Sequence, residues 1–481
     1  MESKNVFNNL IWRFMERIGS QGVSLVVSII LARLLPTEAY GTISLIIVFT
    51  TILQVFINSG MGTALVQKKD ADDLDFSSVF FFNVAMCIVL YVLLFFAAPF
   101  IATFYELPEL TPLVRVLGLN LVISGVNNIQ QSYVSKTLQF KRFFFSTLGG
   151  TIVSAVAGIS MAYMGYGVWA LVAQNLVNNA SVTVILWFTI KWHPKRMFSF
   201  KRLKGLFSFG WKLLVSSLLE TLYKEIRQLI IGKLYTTNDL AFYNKGTQYP
   251  SLIVTNVNSS IDSVLLPTMS AEQNNRERVK AMTRRAIKTS TYLMMPMMMG
   301  LAVCAEPFVR LLLTEKWLPC VFFLRIFCFT YAFYPIHTAN LNAIKAMGRS
   351  DMFLKLEIVK KIVGLAALLA TMWVSVEAMA YSLLITTVFA QIINASPNKK
   401  LLGYSYLNQL QDMLPQIVLS AVMGAIVYCV NFLPLNEYLK LAIQVPLGVL
   451  IYIGGSVLFK LESFTYVFSF AMSYLRKDKI R

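Results

Sequence analysis

A succession of long apolar runs constrains this chain more than any other feature. At roughly 1.5 Å of rise per residue, about 20 apolar residues cross a hydrocarbon core about 30 Å thick. Fourteen such runs can be counted, approximately 15–34, 40–60, 77–101, 110–131, 143–163, 166–190, 207–232, 240–267, 289–312, 319–344, 354–375, 378–396, 414–433 and 438–459. They are rich in Leu, Ile, Val, Phe and Met without strict alternation, which predicts helices rather than the short, alternating strands of a barrel. With 56% hydrophobic residues, 14% charged residues and a mean hydropathy of +0.62, the 481-residue chain is too apolar for a soluble multidomain protein. The fold class expected is an all-α membrane protein of about fourteen transmembrane helices.

A net charge of +19 would also suit a nucleic-acid binder, so the placement of the charges decides. Of the 43 Lys and Arg, 30 fall at the termini, in connections after even-numbered runs or at the run ends beside them, five lie at the other side and eight lie deeper within runs. An excess on one side is what orients a polytopic protein, with basic loops and both termini cytoplasmic. The basic balance is therefore topology, and no nucleic-acid partner is expected. The first apolar run continues past the length of a signal h-region and lacks a small-residue cleavage site, so it reads as an ordinary start helix.

Connections on the outer side are short, about 35–39, 102–109, 164–165, 233–239, 313–318, 376–377 and 434–437, which leaves no outer catalytic domain. The chain has only two histidines, His193 and His337, and no HExxH, GxSxG or GxxxxGK[ST] motif, so enzymatic turnover, an ATPase included, has little to stand on. His193, beside Trp192, reads as interfacial; His337 reads as a packed or cavity-facing polar residue. The five cysteines show neither CxxC nor Cys/His spacing, so no metal and no disulfide framework is expected, and no cofactor.

The chain repeats itself. ILARLLPTEAYG (30–41) returns as IIGKLYTTNDLAFY (230–243), and SYVSKTLQFKRF (132–143) aligns with LNAIKAMGRSDMF (341–353), at offsets of about 200 to 211 residues. Six spans return the chain to its starting side, so the duplication is parallel: two pseudo-symmetric six-helix lobes, 1–190 and 207–396, joined by a cytoplasmic linker 191–206. Residues 397–481 add two C-terminal helices and a basic tail. In transporters with such repeats the substrate site lies at the repeat interface, where the first helix of each lobe is expected to face its counterpart.

Polar stripes support this. Arg13, Arg17, Ser20, Ser24 and Ser28 in run one occupy an arc of roughly 80°, and Lys212, Ser216, Glu220, Lys224 and Arg227 in run seven an arc of roughly 120°. A charge near the bilayer centre costs about 2.5 to 3.5 kcal/mol on insertion scales, so both stripes should face water or a partner. Runs two and eight add Asn58, Asn256 and Asp262. The substrate-binding candidates are thus Arg13, Arg17, Glu220, Lys224, Arg227, Asn58, Asn256 and Asp262. Alternatives are start-helix anchoring for Arg13 and Arg17, an internal Glu220–Lys224 pair, and structural pairing for Asp262. Prolines 250, 296, 335 and 446 fall inside runs, where each is expected to kink its helix.

Trp12 to Gly41 (W-R…QGVSLVVSIILARLLPTEAYG), GMGTALVQKKD (60–70) and IIGKLYTTNDLAFYNKG…LLPTMS (230–270) resemble the oligosaccharide-lipid flippases of the polysaccharide-transport family, of the Wzx and WzxC type, within the multidrug/oligosaccharidyl-lipid/polysaccharide exporter superfamily. The resemblance covers essentially the whole chain. It implies a two-lobed alternating-access bundle in a bacterial inner membrane. Its substrate would be an undecaprenyl-diphosphate-linked oligosaccharide, moved to the periplasmic leaflet for O-antigen, capsule or exopolysaccharide assembly, in functional contact with a glycan polymerase or glycosyltransferases. A multidrug/cation antiporter of the same superfamily and a membrane enzyme of glycan assembly are the competing readings.

Overall fold

The computed structural model describes residues 3–58 and 61–477, and among them no strand occurs. The chain forms two compact units, Met1–Ala241 and Phe242–Arg481. The first contains α1 (Ser3–Leu34), α2 (Thr37–Asn58), α3 (Met61–Gln67), α4 (Asp73–Tyr105), α5 (Leu110–Thr137), α6 (Phe140–Tyr163), α7 (Val168–Thr189), α8 (Phe200–Leu234) and the first turn of α9 (Thr237–Ala271). The second holds the rest of α9, then α10 (Arg276–Val303), α11 (Ala305–Leu313), α12 (Cys320–Ala332), α13 (Tyr334–Ala346), α14 (Ser350–Thr371), α15 (Val376–Leu402), α16 (Tyr406–Cys429), α17 (Glu437–Leu458) and α18 (Glu462–Lys477). By packing, the division falls inside α9, so α8 lies with the first unit although the sequence repeat opens its second half at 207.

Helix boundaries follow local chemistry. Asp72 caps α4 by accepting from the Asp75 amide at 2.9 Å, and the Asp75 carboxylate takes the Asp72 amide at 3.2 Å, a reciprocal capping box. Ser199, Asn275, Ser375, Ser405 and Asn436 do the same job singly for α8, α10, α15, α16 and α17. Such closure matters because backbone groups at membrane depth have no water to turn to.

Among the described residues nine helices, counting α12 and α13 as one span, are long and apolar enough to cross a membrane, ten if α10 and α11 count as one. The expected total of fourteen is not reached by this measure. Helices α8, α9 and α14 are 22 to 35 residues long but too polar to pass, and the described part of α1, Gly19–Leu34, is apolar but short; α8 carries the stripe of run seven and α9 carries Asn256 and Asp262. One expected span is also broken, and a second changes helix without a sharp bend. Run 289–312 bends by 66° between α10 and α11. Run 319–344 divides at Phe333, so Pro335 does not kink a helix interior but sits in the first turn of α13, where its missing N–H costs nothing.

In the first unit α1 packs on α6, Trp12 meeting Phe144 with ring centroids 5.5 Å apart. The segment 191–199 has no regular structure and is tied to the start of α4. The Trp192 indole stacks on Tyr133 at 5.6 Å and donates to Asp73 at 3.0 Å, while the buried hydroxyls of Ser77 and Ser78 accept from the amides of Lys195 and Ser199. Residues 200–206 are already helix, and Arg202 and Lys68 converge on the fully buried Asp75 carboxylate. In the second unit the core runs from Met269 through Ile287, Ile336 and Ala343 to Tyr404 and Met413.

Candidate substrate path

The two copies of the repeated turn touch each other. Thr37 at the start of α2 donates to Asn238 Oδ1 at 2.6 Å, and the Asn238 amide donates to Glu38 at 3.2 Å. The glycines of the two copies make room for this. A Cβ on Gly41 would lie 1.8 Å from the Thr237 carbonyl oxygen, and one on Gly232 would lie 2.2 Å from Leu45 Cδ2. Beside the turn, Lys233 donates to Glu106 at 2.8 Å, which holds that carboxyl below the ordinary carboxylate range, and Tyr105 donates to the Leu229 carbonyl at 3.3 Å.

From this turn α8 runs back along α2, α3 and α4, with the stripe from Lys212 to Arg227 along one face. Lys212, Ser216 and Lys224 on that face are exposed. Lys224 pairs with Glu220 at 3.3 Å, the internal pair that helical spacing allows. Arg227 is half-buried, and its Nε is buried without a hydrogen-bond partner. An orphaned donor of this kind costs about 1 to 3 kcal/mol, more for a charged group, so the site keeps unspent capacity for an acceptor. The structure thus places Glu220, Lys224 and Arg227 on one face. The side chains of Arg13 and Arg17 lie outside the described residues. Asn58, exposed at the end of α2, accepts from Asn128 at 2.7 Å and is not part of that face.

In the second unit α9 carries Asn256, whose amide donates to the Leu252 carbonyl at 2.8 Å and so serves its own helix. Asp262 accepts from Asn342 at 2.9 Å, and Asn258 from Thr338 at 2.9 Å, two rungs one helical turn apart between α9 and α13. The rungs make structural pairing the observed state of Asp262. Helix α13 has a second polar side that was not foreseen. Asn340 and Gln409 exchange two 2.9 Å bonds, Asn398 donates to Asn340 Oδ1 at 2.7 Å, and Asn394 lies 3.0 Å from His337 Nδ1. The recurrence of Asn and Gln within apolar runs and at their ends (Asn340, Asn342, Gln391, Asn394, Asn398) was the signal available for it. Among the described residues no group of three or more His, Cys, Asp or Glu could hold a metal ion.

Residues 30–322 match the sequence model of a family described as polysaccharide biosynthesis protein. The chain belongs to that family. This polysaccharide biosynthesis protein is 25% identical over 415 residues to the teichuronic acid biosynthesis protein TuaB of Bacillus subtilis, covering 84% of the chain and 85% of TuaB. It is 23% identical over 424 residues to the lipopolysaccharide biosynthesis protein WzxC of Escherichia coli, with 84% and 85% covered. Its fold is that of the lipid II flippase MurJ in an inward closed conformation, with a TM-score of 0.75 at 16% identity over 94% of this chain and 98% of that one. A multidrug resistance transporter of the MATE family follows at 0.63 and 13%, covering 85% and 98%. The family member is thus an α-helical, multi-pass membrane protein with a transporter fold.

Proposed function

We propose that this protein moves a polyprenyl-diphosphate-linked oligosaccharide from the cytoplasmic to the outer leaflet of a bacterial inner membrane, by alternating access and without catalysing a reaction. The lobes are those of the repeat, 1–190 and 207–396, linked by 191–206 and followed by 397–481, with both termini cytoplasmic, a reading that the distribution of Lys and Arg supports. The observation that carries the reading is the basic stripe of α8, where Arg227 keeps an unsatisfied buried donor and Lys224 is exposed. A diphosphate cannot enter hydrocarbon bare, and guanidinium and ammonium donors replace its hydration through charge-assisted hydrogen bonds. Names of relatives that span most of the chain, teichuronic acid and lipopolysaccharide biosynthesis among them, point to a glycan cargo. Functional contact with a glycan polymerase or glycosyltransferases belongs to the same proposal.

The test is complementation of a strain lacking the gene. Lys224→Ala combined with Arg227→Ala should lower surface glycan severely while protein abundance in the membrane stays unchanged. Full export by the double variant removes these residues from the path. The multidrug reading rests on the likeness to the MATE fold. A deletion strain that shows altered drug resistance and no intracellular build-up of lipid-linked sugar would favour it.

A further inference from the structure

One face of α10 changes character along its length. Arg285, Lys288 and Thr289 line a polar recess of about 230 Å³ against Glu462, Thr465 and Tyr466 of α18. At the same three- and four-residue spacing Tyr292, Leu293, Pro296, Met297, Gly300 and Leu301 then line an apolar groove of about 650 Å³, walled by α17 and by Phe464 and Phe468 of α18. The groove is open, since a Cβ on Gly300 would meet no atom within 4 Å. Its length along α10 from Tyr292 to Leu301 is about 14 Å. That is close to the half-thickness of a hydrocarbon core, about 15 Å.

Charge at the recess does not cancel. Arg284 makes a bidentate pair with Asp412 at 2.8 and 2.7 Å, and Lys288 binds Glu462. Three cations, Arg284, Arg285 and Lys288, thus meet two carboxylates, Asp412 and Glu462, and the surplus of one positive charge rests on Arg285. Among the described residues Arg285 has no carboxylate partner; its guanidinium is held over the Tyr466 ring at 4.9 Å. Thr289 adds a hydroxyl.

We propose that the α10–α17–α18 groove is a binding site for a membrane phospholipid, with its single phosphodiester on Arg285 and Thr289 and an acyl chain along Tyr292–Leu301. The surplus of one positive charge matches one phosphodiester, and the recess of about 230 Å³ leads directly into the apolar groove, as a headgroup and its acyl chain require. The orientation proposed above puts the recess at the inner surface; the site itself does not depend on what the protein transports.

The full-length protein, reconstituted in vesicles of phosphatidylethanolamine and phosphatidylglycerol, is labelled with phosphatidylglycerol bearing a diazirine in its acyl chain. Cross-links should map to the 292–301 segment. Arg285→Gln should lower them about fivefold or more and Arg285→Lys should largely keep them, because the contact is one charge-assisted bond. Gly300→Phe, which fills open space, should lower them with thermal stability retained. Equal labelling of wild type and Arg285→Gln, meaning bulk lipid only, overturns the proposal. So does preferential displacement of the probe by polyprenyl phosphate, which would give the groove to an isoprenoid chain.

Discussion

Arg227 carries a planar fork of five donors, and the structure leaves one of them, Nε–H, buried and unsatisfied. Arg227→Lys keeps the charge but loses the fork, so transport of a bidentate oxyanion should fall about tenfold, equivalent to about 1.4 kcal/mol, with abundance unchanged. Initial rates in proteoliposomes with a fluorescent lipid-linked sugar would measure it, and an unchanged rate would mean that Arg227 acts only as a point charge. Asn340 is a different case, since its amide is wedged between Gln409 and Asn398. Asn340→Leu strands both partners at about 1 to 3 kcal/mol each and should lower the melting temperature in detergent. Glu106 gives a pH signature. Its carboxyl is held below its ordinary value by the hydrogen bond from Lys233, so the stabilisation is present above about pH 4.3, the unfolded value, and is lost as pH falls through the lower folded value. Melting curves of wild type and Glu106→Gln should therefore differ near neutrality and converge in acid.

At the scale of elements the decisive contact is between the two copies of the repeated turn. Gly41 approaches the Thr237 backbone so closely that any side chain displaces it, and Gly41→Val should cost stability as overpacking does, about 1 to 3 kcal/mol or more. A Thr37→Cys, Asn238→Cys pair should form a disulfide readily, and export should stop until it is reduced if this contact opens during transport. Failure of the oxidised pair to slow export would make the contact static. The repeat and the basic face of α8 were legible because both are one-dimensional signals, a recurring string and a 3.6-residue period. The side to which α8 packs was not legible, because its apolar residues suit either unit equally and only tertiary fit separates them. The α13 network escaped for a similar reason. Single Asn and Gln residues scattered through apolar runs become a cluster only when α13, α15 and α16 are brought together.

At the scale of the whole molecule, α8 is fastened to the first unit at both extremities. Arg202 enters the buried Asp75 carboxylate near its first turn, and Lys233 meets Glu106 in its last. A helix of 35 residues is thus secured in this conformation like a spar, near its first turn and in its last. A gene divided after residue 206 would part this spar from one mooring, Arg202 with Asp75, and strain the other. Division in the turn at 272–275 would leave both moorings intact, and the co-expressed pieces should reassemble there and not at 206.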